Sequence, residues 1–357
     1  LLSKEIRQSD LFLPTGVRSS GSNGRSAFLA ALQRLGIPKS GRILLPSYLC
    51  DSVVAPVVSY GAVPEFYPIS PKLEPDLSAI EYKLRNEKPD LLVVIHYFGF
   101  PSPGWSELRQ LAEKFNIPIL EDCAHALYSR PDGKFLGSDG AAAIFSLRKS
   151  LPVPEGGILV IRDFDEGLEQ TETKWKYREL SALTREIVYS VDHFLGLSLR
   201  ARLSARDTIL DWTREKNSEA APDIWDGVGQ LSHRIIQRVD ASEIIEKRRR
   251  NFMDLSGVVQ ELGPWLRPLY TELADGICPV GFPVVVEERD RLRRDLARRG
   301  IGVRMFWDRL PEQITTEEFP DSAYLRDRIL VLPIHQDINE YKLKYMRETL
   351  RMLWLKS

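Results

Sequence analysis

The feature that most constrains this chain is a recurring alternation of short apolar runs with helix-like stretches. RILLP (Arg42–Pro46), VPEFYPI (Val63–Ile69), LLVVIH (Leu91–His96) and PILED (Pro118–Asp122) read as strands. Runs so nearly continuous in apolar side chains are buried on both faces, as strands of a parallel sheet are. Parallel neighbours also need long crossovers, and the separators supply them. SYLCDSVVAPVVSYG closes on Gly61, and SELRQLAEKF follows the turn YFGFPSPG. Upstream, SAFLAALQRL (Ser26–Leu35) has helical spacing and follows the small polar run SSGSNG, which suits a turn and an N-cap. Two more strands, AAAIFSL (Ala141–Leu147) and GGILVIR (Gly156–Arg162), flank a short loop holding Lys149. The expected class is α/β, a mostly parallel sheet covered by helices on both faces.

Beyond Asp163 the pattern changes to charged, helix-like stretches, read as solvated helices and linkers up to Asp240. A charged helix from Ala241 to Leu255 carries the run KRRRN, read as a solvated face. The last third reads as a small α/β unit: GFPVVV and ILVLP as strands, RDRLRRDLARRG and DINEYKLKYMRETLRMLW as helices. At 357 residues, a single core is near its practical limit. The division expected is a large domain over 1–240 and a smaller C-terminal α/β domain over 241–357. A net charge of −1 gives no electrostatic reason to expect nucleic acid or an anionic membrane, and no apolar run reaches the roughly 20 residues of a membrane helix. Cys50, Cys123 and Cys278 are odd in number and far apart, which suggests neither a disulfide framework nor a zinc site, and a reducing, cytoplasmic setting.

Ligands of open parallel sheets bind at the carboxyl ends of the strands. Asp122 ends one strand, His125 follows it by three residues, and Lys149 follows Ser146 by three, just past another strand. The loop GSNGRS opens a helix, whose free N–H groups and positive dipole end attract an anion. One chemistry uses this whole set. A lysine amine forms a Schiff base with an aldehyde cofactor, and a carboxylate opposite the pyridine nitrogen keeps that nitrogen protonated, so the ring accepts electrons from a substrate carbanion.

The segments SNGRSAFLAAL, HYFGFP, EDCAHAL and FSLRKSLPVPEGG also resemble the DegT/DnrJ/StrS-type sugar aminotransferases, with gaps from about Ser22 to Asp163 and again in the final 75 residues. The resemblance implies the fold type I of pyridoxal-5'-phosphate-dependent transferases, with a sheet of the seven-stranded type. It implies Lys149 as the Schiff-base and proton-transfer lysine, Asp122 at the pyridine nitrogen and His125 beside the phenolic oxygen. Gly24, Arg25, Ser26 and Ser146 would meet the phosphate. It further implies glutamate as donor, a keto-sugar nucleotide as acceptor, and a homodimer with shared active sites. The sequence departs from the family at Arg25, where most members carry Thr, and at Cys50, where an aromatic usually stacks on the ring. That stacking falls to Tyr48 or is replaced by a sulfur contact. The Ser146–Lys149 step is two residues shorter than is common, and no GxNYR-like segment lies near SHRIIQ. These departures keep a lyase, a dehydratase, an amino-acid transaminase and a non-catalytic relative as alternatives.

Other residues have plainer readings. His96 is expected to be a hydrogen-bonded structural histidine, Tyr97 and Phe98 core or pocket wall, and Cys123 core. His335 and Trp307 are candidates to line a substrate entrance. Gly156 and Gly157 suit a tight turn re-entering the sheet. No metal spacing, GxSxG elbow or P-loop is present.

Overall fold

The computed structural model describes residues 13, 14, 17–162 and 227–356. In chain order the elements are β1 (Val17–Gly21), α1 (Gly24–Arg34), β2 (Arg42–Pro46), α2 (Asp51–Tyr60), β3 (Val63–Tyr67), α3 (Leu77–Asn86), β4 (Leu91–Ile95), α4 (Trp105–Phe115), β5 (Ile119–Asp122), β6 (Ala142–Ser146), α5 (Leu147–Ser150) and β7 (Gly157–Ile161). After the charged stretch come α6 (Gln230–Ile236), α7 (Ala241–Glu261), β8 (Arg267–Pro268), β9 (Phe282–Val285), α8 (Arg289–Arg298), α9 (Pro320–Arg328), β10 (Ile329–Leu332) and α10 (Glu340–Trp354).

A seven-stranded sheet runs in the order β1-β7-β6-β5-β4-β2-β3, and a separate three-stranded antiparallel sheet in the order β10-β9-β8. From β3 to β6 the large sheet is parallel. Every residue of β4, β6 and β7 is buried, so this sheet is covered on both faces, as its apolar runs require. Val53, Val57, Ile80, Leu84 and Leu108 carry the helical cover into the core, and Gly61 ends α2 at φ 93°, a conformation glycine adopts without strain. No described helix is long and apolar enough to cross a membrane.

Five details differ from or add to what the sequence alone implied. Residues read as a turn before α1 form β1, antiparallel to β7. β7 itself runs antiparallel to β6, so the sheet is mixed at this edge. Lys149 lies in the single helical turn α5 rather than in a loop. The run KRRRN is not a solvated face, because Arg248 and Asn251 are buried at 3% and 1% exposure while Arg250 stays outside. α7 is longer than expected, reaching Glu261. The reading of residues 163–240 as solvated helices and linkers lies outside the described residues as far as 226.

The β1–β7–β6 edge positions the site. Gly157 pairs with Gly21 on one side and Ser146 on the other, so the entry to α1 and the entry to α5 lie side by side. The Gly156 N–H donates to the Ser22 carbonyl at 2.8 Å, and the Leu147 N–H to the Gly156 carbonyl at 3.0 Å. A side chain at Gly157 would collide with the Asn23 carbonyl, so glycine here is what allows the approach.

Candidate active site

Asp122 and Ser146 end neighbouring strands, paired in parallel through Asp122 and Ile144, and Lys149 follows within one turn. These side chains therefore gather at the carboxyl ends of neighbouring parallel strands, where open α/β sheets bind ligands. Asp122 is 6% exposed, and one oxygen accepts the Ala124 N–H at 2.9 Å. Burial raises its carboxyl above the usual range, against the downward pull of Lys149 and of that hydrogen bond. Lys149 is half-buried. Desolvation lowers its ammonium below the usual lysine range, and Arg148 and Arg304 push the same way, while Asp122 and Cys50 oppose them. A buried acid and a partly desolvated amine, each with a shifted proton affinity, mark this end of the sheet as a candidate for chemistry.

His125 is 3% exposed, and neither ring nitrogen has a hydrogen-bond partner. Burial drives its proton affinity well below the ordinary histidine value, reinforced by Lys149 and Arg304, so the imidazole is neutral at physiological pH. Two orphaned nitrogens on a buried ring are costly, and a polar ligand beside the ring would satisfy them. Its ring sits 4.5 Å from Phe306 and 4.9 Å from Trp307, centroid to centroid. The Lys149 Nζ lies 5.9 Å from the Phe306 ring centroid, so a segment from the C-terminal third reaches the lysine.

Trp307 also meets Phe98 at 5.3 Å, Tyr97 at 5.2 Å and Tyr48 at 5.3 Å. Trp307 and Phe98 both adopt left-handed backbone angles, φ 55° and 57°, a strain that bulky residues bear where the surroundings demand it. Tyr48 is fully buried behind this cluster, its hydroxyl donating to the Phe306 carbonyl at 3.3 Å. Cys50, by contrast, is half-buried at the N-cap of α2, with Sγ 2.8 Å from the Ser52 hydroxyl.

Asn23 caps α1 through a reciprocal box. Its side chain accepts the Ser26 N–H at 3.0 Å, and the Ser26 hydroxyl accepts the Asn23 N–H at 3.1 Å. Ser26 is thereby committed to the cap, and the N–H groups of Gly24 and Arg25 precede it at the positive end of the helix. A Cβ placed on Gly24 would lie 3.7 Å from the Ser146 Cβ, so the start of α1 and the entry to the lysine turn lie side by side.

His96 takes the structural role expected of it. Nδ1 accepts the Ser102 N–H at 3.1 Å, so Nε2 carries the proton and donates to Glu121 at 2.9 Å. Glu121 also accepts the N–H groups of Gly137 and Asp139, each at 2.8 Å, and of Gly140. His96, Glu121 and Cys123 are the one close grouping of metal-ligand types among the described residues, but its histidine and carboxylate are already spent on this network. His335 is exposed and 3.6 Å from Asp337. The sequence reading did not single out Phe306, Arg304 or Arg248. The aromatic pair in RMFWDRL was the available signal for the first, and none existed for Arg248.

A sequence profile of the DegT/DnrJ/EryC1/StrS aminotransferase family matches residues 17–196, half of the chain. The chain belongs to this family. Among curated relatives, GDP-perosamine synthase of Escherichia coli O157:H7 is 31% identical over 145 residues, which are 40% of this chain and 39% of that protein. UDP-4-amino-4,6-dideoxy-N-acetyl-beta-L-altrosamine transaminase of Campylobacter jejuni is 24% identical over 342 residues, 92% of this chain and 83% of that one. The match to the first relative thus spans less than half of that protein's length. Among solved structures, DesV of S. venezuelae superposes with a TM-score of 0.70 at 18% identity, covering 97% of this chain and 86% of its own. A family member from Brucella abortus gives 0.65 at 17%, covering 97% and 87%. At these identities the structures share the fold, and the α/β architecture is that of the family's aminotransferases.

Proposed function

We propose that this chain is a pyridoxal-phosphate-dependent aminotransferase that moves an amino group from glutamate to a keto-sugar carried on a nucleotide. The observation that carries the reading is the convergence of Lys149, Asp122 and His125 at one strand edge, with both nitrogens of the buried imidazole unpartnered. When bound, pyridoxal phosphate supplies an aldehyde carbon that condenses with amines and a ring that accepts electrons.

This chain's residues fit such a group. The N-terminus of α1, through Gly24 and Arg25, with Ser146 beside it, would hold the phosphate. Asp122 would keep the pyridine nitrogen protonated, and the buried carboxyl's high proton affinity suits a partner that brings a positive charge. His125, neutral, would hydrogen-bond the phenolic oxygen. Lys149 would have two tasks. Its depressed proton affinity leaves more of the amine free to attack a carbonyl, and the same amine would then take a proton from the substrate carbon that bears the amino group. Cys50, Phe306 and Trp307 would wall the ring and exclude water.

The reading extends to a homodimer with shared sites, a cytoplasmic location, and a division into a large unit over 1–240 and a smaller one over 241–357. The division has the two separate sheets in its favour.

The test is an absorbance spectrum of the purified protein with pyridoxal phosphate, before and after glutamate, repeated with Lys149→Ala. A lysine-dependent band near the visible edge that shifts with glutamate is the expected result, with turnover abolished and weak cofactor binding retained in the variant. Lys149→Ala with normal turnover would overturn the assignment. A band that no amino donor shifts would point instead to another reaction of the same cofactor.

A further inference from the structure

Arg248 and Asn251 lie three residues apart on one face of α7, turned inward from a run that reads as surface. No described carboxylate pairs with the Arg248 guanidinium. Its Nη2 donates to the Ser150 carbonyl at 2.8 Å, and Nη2 and Nε share the Gln336 Oε1 at 3.2 and 3.3 Å. The Asn251 Nδ2 lies 3.2 to 3.3 Å from the carbonyls of Ile334, His335 and Ile338. α7 therefore grips two things at once: the end of the lysine turn and the loop 334–338.

Burying a guanidinium without a carboxylate is expensive, so the arrangement needs a return in geometry. α5 is a single turn, closed by the Leu151 N–H on the Leu147 carbonyl at 2.8 Å, and a lone turn is unfavourable by itself. A cation at its last carbonyl satisfies the orphan acceptor and complements the turn's dipole. The rigid fork of arginine lets one side chain reach both the turn and the loop, which a lysine cannot do.

We propose that Arg248, seconded by Asn251, is a positioning residue for Lys149, holding the lysine turn in register with the loop that carries His335 and Gln336. The proposal rests on the aminotransferase reading of Lys149. An amine that must reach a carbonyl carbon and then take a proton from a nearby substrate carbon tolerates little displacement, and a shift of about 1 Å costs on the order of 100-fold in rate.

The experiment compares the full chain, supplied with pyridoxal phosphate, as wild type, Arg248→Met, Arg248→Lys and Gln336→Ala. Amide exchange is read over peptides 147–151 and 334–338, and kcat and KM are measured for glutamate. In Arg248→Met, exchange of the lysine turn is expected to rise about 10- to 100-fold, the worth of a charge-assisted hydrogen bond, while β4 and β5 stay protected. kcat should fall by a similar factor with KM little changed, and Arg248→Lys should recover part of it. If Arg248→Met does not fold, Arg248→Lys and half-buried Gln336→Ala decide. Gln336→Ala should raise exchange over 334–338 and lower kcat less. Unchanged exchange of the turn, or losses confined to KM, would overturn the positioning role alone. A wild type without a Lys149-dependent absorbance band would overturn the aminotransferase reading and the role together.

Discussion

Gly157→Ala tests how the site is assembled with the smallest possible change. Gly157 sits in the middle of the β1–β7–β6 edge, opposite both Gly21 and Ser146. An added methyl would be driven into the Asn23 carbonyl, and it would stand only 3.1 Å from the Asn23 Cα. These are backbone atoms of the α1 N-cap and have no rotamer by which to escape. Relief requires the cap to move by on the order of 1 Å away from Ser146 and the lysine turn, a displacement that costs about 100-fold where reacting groups must be aligned. Loss of the cap costs about 1 kcal/mol of stability, and overpacking about 1–3 kcal/mol more. The expected outcome is a pyridoxal phosphate Kd raised about 10- to 100-fold in a spectrophotometric titration, with a Tm lowered by a few degrees and an intact far-UV spectrum. Gly157→Ala with wild-type cofactor affinity and wild-type Tm would refute the argument that the close approach of cap and lysine turn builds the phosphate cradle.

Two further outcomes follow from the buried acids. Burial raises the Asp122 carboxyl, so its favourable contribution is present below the unfolded carboxylate pKa and is lost as pH rises through the folded value. Without added cofactor, Asp122→Asn should therefore melt no lower than wild type at pH 8 by scanning fluorimetry, while its cofactor-bound spectrum and turnover suffer. A clear drop in Tm at pH 8 would contradict this sign. Burial would raise Glu121 too, but hydrogen bonds from His96, Gly140 and Gly137 hold it below the usual range, so its contribution is present above the unfolded pKa and lost in acid. Glu121→Gln would aim an amide NH2 at the His96 Nε2–H or at backbone N–H donors, leaving about two donors unsatisfied. Urea unfolding should show a loss of about 3–5 kcal/mol, and a loss below about 1 kcal/mol would disprove the network's role.

Much of this protein was legible because its signals are local. Continuous apolar strands, Gly61 after α2 and the polar run before α1 are one-dimensional consequences of burial, positive φ and capping, and they yielded β2 to β7 and α1, α2 and α4 nearly in place. Asp122, His125 and Lys149 could be nominated for the same reason, since a strand's end is visible in its sequence and a parallel sheet exposes that end to ligand. The sequence by itself thus determined the class of fold, the catalytic side chains to propose and the cofactor they suit. Tertiary structure decided how they meet. β1 is short and half polar, so only its pairing with β7 makes it a strand, and that pairing brings Gly24 beside Ser146. Phe306 and Trp307 come against His125, and Arg248 against the end of the lysine turn, from segments more than 90 residues beyond Lys149 in the chain, and only the fold brings them there. The spelling of KRRRN even suggested the opposite of what Arg248 does. Whether a cation faces water or a buried carbonyl is set by what packs above it, and that is a property of the folded chain.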